Sequence, residues 1–284
     1  MEKQENILVS DLRTRIQQSI KEVYETPESW AVTHRLLEFL AGETVLPHHY
    51  IAWDKIREEQ LKNILERLQG GEPLQYITEE APFFGHIYKV SPDVLIPRQE
   101  TEELVQWVLD ELPETGKLLD VGTGSGCIAI SIALNQPETD VLAMDVSEAA
   151  LSIGQYNAAA LNAGVQFICQ NALDETAWPA PLTALVSNPP YVPAIEKESL
   201  AARVRDYEPG LALFVPDNDP LLFYRVIATR GLSVLPPGGR LFFEIHESLG
   251  QEVVSLLENL GYENVELKQD LNGKDRMVRG LRKA

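Results

Sequence analysis

Apolar side chains recur at helical spacing through the N-terminal part of the chain. The first helix is predicted from a single apolar stripe, formed by Leu8, Leu12, Ile16 and Ile20. Pro27 and Gly42 delimit a second helix, because proline favours the first helical turn and glycine favours a helix end. A short helix near Pro47–Trp53 and a longer one that stops at Gly70 complete the pattern. Residues 1–72 are therefore predicted to form a small all-α domain, a helical bundle whose surface can dock a partner protein.

The pattern changes from helical to strand-like after Glu72. Residues Ile87–Val90 alternate between apolar and polar positions, and Val94–Pro97 is a further apolar run that ends at proline. Short runs of this kind with a glycine-containing turn between them are typical of a β-hairpin. We therefore predict a β-hairpin linker over residues 73–97. A helix follows it, with apolar positions at Leu104, Val105, Val108, Leu109 and Leu112.

Beyond the linker, apolar runs of strand length alternate with helical segments. The predicted strands are Lys117–Val121, Val141–Met144, Val165–Cys169, Leu182–Val186, Arg240–Ile245, Val265–Leu267 and Met277–Leu281. Alternation of strands and helices predicts a mostly parallel sheet covered on both faces, an α/β domain over residues 98–284. Only a turn at Leu271–Lys274 separates the last two strands, which predicts a terminal antiparallel hairpin.

The net charge of the chain indicates which classes of partner it can bind. It carries 24 basic and 43 acidic residues, a formal net charge of -19. Proteins that bind nucleic acid without sequence specificity neutralise its phosphates with Lys and Arg. The negative net charge therefore argues against this class of protein. A basic protein partner or a cationic cofactor suits such a field, and plain solubility explains it equally well.

The apolar runs and the two cysteines of the chain indicate its cellular compartment and whether it binds a metal. No apolar run reaches the ~20 residues that a membrane span needs, and Met1–Glu5 lacks the features of a signal peptide. A cytoplasmic protein without a membrane partner is therefore expected. Cys127 and Cys169 lie far apart in apolar segments and have no metal-site spacing, which predicts reduced, buried thiols and no metal site.

A glycine-rich loop follows the first strand of the predicted sheet. Glycine is required where a ligand approaches the backbone too closely for a Cβ atom, or where φ is positive. The dinucleotide fingerprint would need a further glycine where this chain has Cys127. An acid followed by alternating glycines instead resembles motif I of the S-adenosylmethionine-dependent methyltransferases. The predicted cofactor-binding residues of the loop after Asp120 are Gly122, Thr123, Gly124, Ser125 and Gly126.

Polar residues follow the next two strands. Asp145 ends the second strand, where α/β nucleotide-binding folds place a carboxylate that accepts from both ribose hydroxyls. The alternative for Asp145 is an N-cap of the following helix. Asn171 follows the third strand, where a side chain would contact an adenine ring, although asparagine is also common in ordinary loops. Asn171 and Ala172 are predicted as adenine contacts.

The stretch Asn188–Tyr191 follows the fourth strand and carries the predicted chemistry. In the alternative interpretation, the two prolines of this stretch serve only to end the fourth strand. Beside a methyl donor, however, it resembles the Asn-Pro-Pro-Tyr motif of methyltransferases that act on planar nitrogen. The Asn188 side-chain oxygen and the Pro189 carbonyl can each accept one N–H, which turns the delocalised lone pair toward the methyl group. The Tyr191 ring can pack on the planar group and favour the developing positive charge.

The predicted catalytic residues are Asn188, Pro189 and Tyr191, and the predicted substrate-binding residues are Asn188, Pro189, Pro190 and Tyr191. Asn188 is also predicted to contact the cofactor. Two prolines restrict the backbone, so the acceptors are held in place before substrate binds.

The resemblance extends over essentially the whole chain. Its motifs are Gly71–Ile77, Phe84-Gly85, Val94–Glu102, Asp120–Ala129, Asn188–Pro193, Tyr207–Pro209 and Gly273–Arg276. Together they resemble the HemK/PrmC family of protein-(glutamine-N5) methyltransferases. The resemblance implies a Rossmann-like class I methyltransferase sheet, S-adenosylmethionine as cofactor and peptide chain release factors as protein substrates. It implies methylation of the glutamine side-chain amide in the Gly-Gly-Gln loop, and we expect a monomer that makes no direct contact with nucleic acid.

The chain departs from the family pattern at several positions. The family commonly has proline where Gln99 stands, glycine near Glu79, and an Asp-Trp pair in place of Asn171-Ala172. An asparagine can still hydrogen-bond the adenine amine, whereas a packed tryptophan ring would need a substitute. The way in which adenine is held is therefore open.

Three other functions remain open from the sequence alone. A glutamine methyltransferase of a ribosomal protein would use the same amide-binding motif. An adenine-N6 methyltransferase of nucleic acid would use the same four residues on an exocyclic amine, but it would need base flipping and a basic groove. A non-catalytic adaptor would not require the glycine loop and Asn188–Tyr191 together.

Overall fold

The structure is a computed structural model that describes residues 5–284. Met1–Gln4, at the start of the predicted N-terminal domain, lie outside the described residues. The chain divides into two compact units at the boundary between Glu80 and Ala81. This boundary falls inside the predicted linker over residues 73–97. Each unit has its own hydrophobic core.

The N-terminal unit contains four helices and two short strands among its described residues. They are β1 (Glu5–Leu8), α1 (Val9–Ile20), α2 (Thr26–Ala41), β2 (Tyr50–Trp53), α3 (Lys55–Gln69) and α4 (Leu74–Thr78). Gly42 ends α2 in the left-handed conformation, and its N–H bonds the Glu38 carbonyl, as the sequence predicts. Asp54 caps α3 by accepting the Arg57 N–H at 2.9 Å. The core of the unit comprises Leu12, Ile16, Ile20, Leu36, Leu37, Leu61 and Leu68.

Two details of the N-terminal prediction are wrong. Tyr50–Trp53 is a strand rather than part of a helix, and it pairs antiparallel with β1, so this unit is not all-α. The pairing joins segments that lie far apart along the chain, and local periodicity does not report such a partner. Leu74–Thr78 is helical instead of belonging to a hairpin linker, so the hairpin itself begins at Glu80.

The larger unit contains the hairpin from Ala81 onward and continues as an α/β domain. Its elements are β3 (Glu80–Phe83), β4 (His86–Lys89), α5 (Gln99–Glu111), β5 (Gly116–Val121), α6 (Cys127–Asn135), β6 (Thr139–Asp145), α7 (Glu148–Ala160), β7 (Val165–Cys169), β8 (Ala184–Ser187), β9 (Val192–Pro193), a 3₁₀-helix (Ala194–Ser199), α8 (Ala202–Arg205), α9 (Gly210–Leu213), β10 (Phe214–Val215), α10 (Leu222–Val234), β11 (Arg240–Glu244), α11 (Gly250–Leu260), β12 (Tyr262–Gln269) and β13 (Asp275–Arg282). The α/β fold predicted from strand and helix alternation is confirmed.

The main sheet has seven strands in the order β12-β13-β11-β8-β5-β6-β7. Strands β5, β6, β7, β8 and β11 are parallel, whereas β13 is antiparallel to both β11 and β12. The predicted terminal antiparallel hairpin is therefore confirmed. Two core clusters form in this unit, one containing Phe242 and the other containing Phe243. These neighbours in β11 both lie in the core, which is consistent with a sheet covered on both faces.

The topology creates a crevice at the middle of the sheet. From β5 the chain moves outward through β6 to β7, and it then returns to place β8 on the other side of β5. Ligands bind outside the carboxyl ends of strands where the winding direction changes in this way. The loops that begin at Gly122 and at Asn188 both leave the sheet at this point.

Candidate active site

Two cavities lie at the carboxyl edge of the sheet, and all of their lining residues belong to the larger unit. The first has a volume of about 390 Å³ and the second about 230 Å³. The predicted residues that line the first cavity are Gly122, Thr123, Gly124, Ser125, Asp145, Asn171, Ala172, Asn188, Pro189 and Pro190. Tyr191 lines the second cavity. Asn188 lines both cavities.

The glycine loop has the backbone geometry that requires glycine. Gly122 and Gly124 have φ angles of +76° and +55°, in the left-handed region that side chains with a Cβ rarely adopt. The N–H groups of Gly122 and Thr123 both bond the Met144 carbonyl, at 2.8 and 3.0 Å. A Cβ atom built on either glycine would meet no other atom within 4 Å. The loop therefore leaves the space in front of it open.

Gly126 has a different environment from the other glycines of the loop. It also has a positive φ angle, +81°, but it is buried and does not line either cavity. A Cβ atom there would lie 2.8 Å from Ile130 Cδ1 and 3.4 Å from the Gly154 Cα. Close packing of the loop against α6 and α7 explains this glycine, so the structure does not place it where a ligand in the cavity would touch it.

Asp145 joins the second strand to the glycine loop. Its Oδ2 accepts the Gly124 N–H at 2.8 Å, and its Oδ1 accepts the Ser147 N–H at 2.9 Å. The N-cap of α7 is Ser147, whose hydroxyl accepts the Ala150 N–H at 3.1 Å. Each Asp145 oxygen retains a lone pair, because a carboxylate oxygen can accept more than one hydrogen bond. Asp145 can thus hold the loop and bind a hydroxyl pair in the first cavity.

The side-chain amide of Asn171 forms hydrogen bonds within the turn that follows β7. Its Oδ1 accepts the Leu173 N–H at 3.0 Å, and its Nδ2 donates to Asp174 at 3.3 Å. Ala172 packs against one of the core clusters and also lines the first cavity. Both residues follow β7 and line the first cavity, and their role as adenine contacts stays a prediction.

Asp120 lies behind the loop instead of in the cavity. Its side chain is fully buried, and its Oδ2 accepts the Thr123 hydroxyl at 2.6 Å. Burial raises the pKa of this carboxyl to about 7, and the hydrogen bond from Thr123 lowers it by a smaller amount. Asp120 therefore ties the loop to the end of β5.

Asn188 and Tyr191 are linked through hydrogen bonds to the carboxylate of Glu244, which was not among the predicted site residues. Asn188 Nδ2 donates to the Thr101 hydroxyl oxygen at 3.3 Å, and Thr101 donates to Glu244 Oε2 at 2.5 Å. The Tyr191 hydroxyl donates to Glu244 Oε1 at 3.3 Å. Burial raises the pKa of Glu244, and the hydrogen bonds from Thr101 and Tyr191 and the charge of Arg276 oppose that rise. One carboxylate thereby connects both ends of the Asn188–Tyr191 stretch.

Sequence comparison places the chain among known methyltransferases. The methyltransferase small domain family matches residues 99–204. The release factor glutamine methyltransferase of Bacteroides thetaiotaomicron is 43% identical over 267 residues, which cover 93% of this chain and 96% of that protein. The release factor glutamine methyltransferase of Flavobacterium psychrophilum is 40% identical over 96% of this chain and 99% of its own length. The chain belongs to the release factor glutamine methyltransferase family.

Structural comparison agrees with the fold of this family. A methyltransferase from Pyrococcus furiosus matches 81% of this chain and all of its own, with a TM-score of 0.53 at 15% identity. A 16S rRNA methyltransferase from T. thermophilus, solved in complex with AdoMet and guanosine, matches 72% of this chain and 50% of its own, with a TM-score of 0.52 at 17% identity. These similarities establish the Rossmann-like methyltransferase fold.

Several residues that shape the site in this family member were not predicted as site residues. Glu208 has a side chain that is only 1% exposed, and it accepts the Ile96 N–H at 3.2 Å and a hydrogen bond from Arg98. Arg98 lines both cavities. Glu244 could have been identified from the sequence, because it is an acid at the end of the apolar run Leu241–Phe243. A charged side chain at the end of a buried strand needs a hydrogen-bonding or ionic partner.

Residues 5–284 contain no group of three His, Cys, Asp or Glu side chains that could hold a metal ion. No helix among them has the length and apolar character that crossing a membrane requires. Both cysteines are free, and Cys169 is exposed, which corrects the expectation that both are buried. Its position at the last residue of β7 explains the exposure.

Proposed function

We propose that this chain transfers a methyl group from S-adenosylmethionine to the side-chain amide nitrogen of the glutamine in the Gly-Gly-Gln loop of peptide chain release factors. The observation that carries the proposal is the position of Asn188 in the walls of both cavities. A residue that lines both cavities can contact a methyl donor in one and an acceptor amide in the other.

The first cavity suits S-adenosylmethionine. Its volume of about 390 Å³ lies within the range of small-molecule sites, which is roughly 300 to 1,000 Å³. Gly122 and Gly124 leave open space that a Cβ atom would fill, and the Asp145 carboxylate offers lone pairs for the ribose hydroxyls. Apolar side chains such as Ile128 and Leu173 supply walls for a flat ring. We assign the adenine side to the Asn171-Ala172 turn, whose edge lines the cavity.

The second cavity suits a glutamine side chain. When bound, S-adenosylmethionine supplies an electrophilic methyl group on a sulfonium. In the proposed arrangement, Asn188 Oδ1 and the Pro189 carbonyl each accept one N–H of the acceptor amide. The Tyr191 ring packs on the amide plane, and the walls formed with Val192 and Leu213 exclude water. Holding both N–H groups orients the nitrogen lone pair before transfer, which lowers the entropic part of the barrier.

The partner in this proposal is a protein rather than nucleic acid. A net charge of -19 disfavours a phosphate backbone and favours a surface that contains basic residues. We assign docking of the release factor to the N-terminal unit, because all residues that line the two cavities lie beyond Glu80. The proposed active form is a monomer.

The test is methylation of a release factor by the purified chain with isotopically labelled S-adenosylmethionine. Mass spectrometry of the Gly-Gly-Gln peptide should show a gain of one methyl group on glutamine. Asn188→Ala should abolish turnover, because the acceptor amide loses its side-chain partner, while measurable cofactor binding remains. Asn135→Ala is the matched control, since Asn135 is exposed at the end of α6 and bonds the Ser131 carbonyl.

Different failures of this experiment have different meanings. Label on a ribosomal protein with an unmodified release factor would assign the same chemistry to another protein substrate. Label on adenine in nucleic acid would overturn the choice of a protein acceptor. Equal activity of Asn188→Ala and Asn135→Ala would overturn the role of Asn188.

A further inference from the structure

A buried hydrogen-bond network lies behind Asn188–Tyr191. Thr101, in the first turn of α5, and Glu244, at the end of β11, are 2% and 1% exposed. Their side chains meet at 2.5 Å, although they are 143 residues apart in the chain. Asn188 bonds Thr101 from one side, and Tyr191 bonds Glu244 from the other. The network therefore joins α5, β11 and the loop after β8.

The direction of each hydrogen bond follows from the donor that Thr101 possesses. A threonine hydroxyl has a single proton, and an ionised carboxylate can only accept. Because Thr101 donates that proton to Glu244, its oxygen can only accept from Asn188. Asn188 must then present its N–H₂ group to Thr101. Its Oδ1 is left for the acceptor amide, which is the atom that the transfer requires.

Glu244 has the same effect on the other end of the stretch. Its second oxygen accepts the Tyr191 hydroxyl at 3.3 Å, and the Tyr191 ring also packs edge-on against His246 at a centroid distance of 5.8 Å. A ring held at its hydroxyl and at its edge has little freedom to rotate away from the cavity. Both groups that would contact the acceptor amide thus depend on one buried carboxylate.

We propose that Thr101 and Glu244 are positioning residues that select the productive orientation of the Asn188 amide and hold the Tyr191 ring. The proposal rests on the proposed function, because the orientation matters only if an amide N–H binds to Asn188 Oδ1. Thr101 lines the first cavity and Glu244 lines neither, and in this proposal each acts on the acceptor through Asn188 or Tyr191. Loss of the Thr101 hydroxyl lets the Asn188 side chain rotate, which misplaces the acceptor oxygen.

The test compares Thr101→Val, Thr101→Ser and Glu244→Gln with the wild type. Thr101→Val keeps the side-chain shape but removes the oxygen that accepts from Asn188. We expect kcat to fall by about 10- to 100-fold, the scale of catalytic loss from a misplaced group. KM for the release factor and Kd for S-adenosylmethionine should stay within a factor of about three, since most of the contacts in each cavity are made by residues other than Thr101 and Asn188. Thr101→Ser should recover most of the wild-type kcat.

Glu244→Gln tests the carboxylate itself. Glutamine has one acceptor oxygen, so either Thr101 or Tyr191 loses its hydrogen-bond acceptor. A fall in kcat similar to that of Thr101→Val is expected, again with little change in cofactor Kd. Thr139→Val is the matched control for loss of a buried threonine hydroxyl, because Thr139 is 6% exposed at the opposite end of β6 from Asp145. It should keep the wild-type kcat.

A spectroscopic readout separates this proposal from the proposed function. The Asn188 side-chain N–H₂ resonances, assigned by their loss in Asn188→Asp, should shift in Thr101→Val and stay near the wild-type position in Thr101→Ser. An unchanged Asn188 resonance in Thr101→Val, equal kcat losses in Thr101→Val and Thr101→Ser, or an equal loss in Thr139→Val would each overturn the positioning role. A wild-type kcat in Glu244→Gln would show that Glu244 has no positioning role. A wild-type protein inactive on release factors would instead refute the proposed function, and the resonance test would still decide the orientation of Asn188.

Discussion

Asp145 Oδ2 accepts the backbone N–H of Gly124 at 2.8 Å, so the carboxylate at the end of β6 is bonded directly to the glycine loop after β5. This contact links two positions that the sequence predicted separately as cofactor-binding residues. Asp145 also lines the first cavity. The carboxylate therefore shapes the loop, and we predict that it also binds the cofactor.

Removal of the Asp145 carboxylate should weaken cofactor binding. Asp145→Ala deletes both the loop contact and the acceptor for ribose hydroxyls, and hydrogen bonds to a charged group contribute about 1.5 to 3 kcal/mol. We expect the Kd for S-adenosylmethionine to rise by about 10- to 100-fold in isothermal titration calorimetry. Asp140→Ala is the control, because Asp140 is an exposed residue of the same strand that does not line the cavity. Equal Kd values for the two variants would contradict the role of Asp145.

The buried Asp120 carboxyl should make stability depend on pH. Its pKa in the folded chain is raised to about 7 by burial, whereas an aspartate in an unfolded chain titrates near 3.9. Between these values the folded state holds the extra proton. Its contribution to stability is therefore full below about pH 4 and is lost as the pH rises toward about 7.

Asp120→Asn tests this sign. The asparagine stays neutral and can still accept from Thr123, so the free energy of unfolding should lack this component of the decline between about pH 4 and 7. One pKa unit corresponds to about 1.4 kcal/mol. The difference in the free energy of unfolding between Asp120→Asn and the wild type should therefore change by at most roughly 4 kcal/mol between about pH 4 and pH 7. Urea denaturation at several pH values measures it. A constant difference across that range would contradict the raised pKa.

Glu79 should be strained by its backbone conformation. It ends α4 with a φ angle of +56°, in the left-handed region where a Cβ atom costs roughly 1 kcal/mol. Glu79→Gly and Glu79→Ala both remove the carboxylate, so comparing them isolates the backbone effect. The glycine variant should be more stable than the alanine variant by about 1 kcal/mol in chemical denaturation. Equal stabilities would show that this position does not hold a left-handed residue in solution.

The pair formed by Arg98 and Glu208 should be costly to break from one side. Arg98→Met leaves the Glu208 carboxylate buried with the Ile96 N–H as its other partner. Such a loss costs about 3 to 5 kcal/mol for fully buried pairs, and we expect about 1 to 3 kcal/mol here because the Arg98 side chain is 35% exposed.

The double variant Arg98→Met with Glu208→Gln should recover part of that stability. Glutamine is neutral and can still accept from Ile96, so it relieves the uncompensated charge. Thermal unfolding of the two single variants and the double variant forms a complete cycle. Strict additivity of the two single effects would contradict a direct interaction between the side chains.

Much of the candidate site was predictable because its chemistry is local in the sequence. Gly122 and Gly124 stand directly after a strand, and the backbone adopts positive φ angles there. Asn188 and its two prolines follow the next strand of the crevice. Gly126 looked the same in sequence as the other glycines of the loop, but packing against Ile130 accounts for it. Its role depends on a neighbouring side chain that the glycine pattern does not report.

The sequence by itself determined the α/β class, the terminal hairpin and the order of loops that carry Asp145 and Asn188, because burial imposes a period on apolar positions within each element. Only the tertiary structure decided that Thr101 and Glu244 meet behind Asn188, and that β2 is a strand paired with β1. Such contacts join residues far apart in the chain. They depend on the strand order of the whole sheet and on packing summed over many residues, and no local pattern of side chains records either of these.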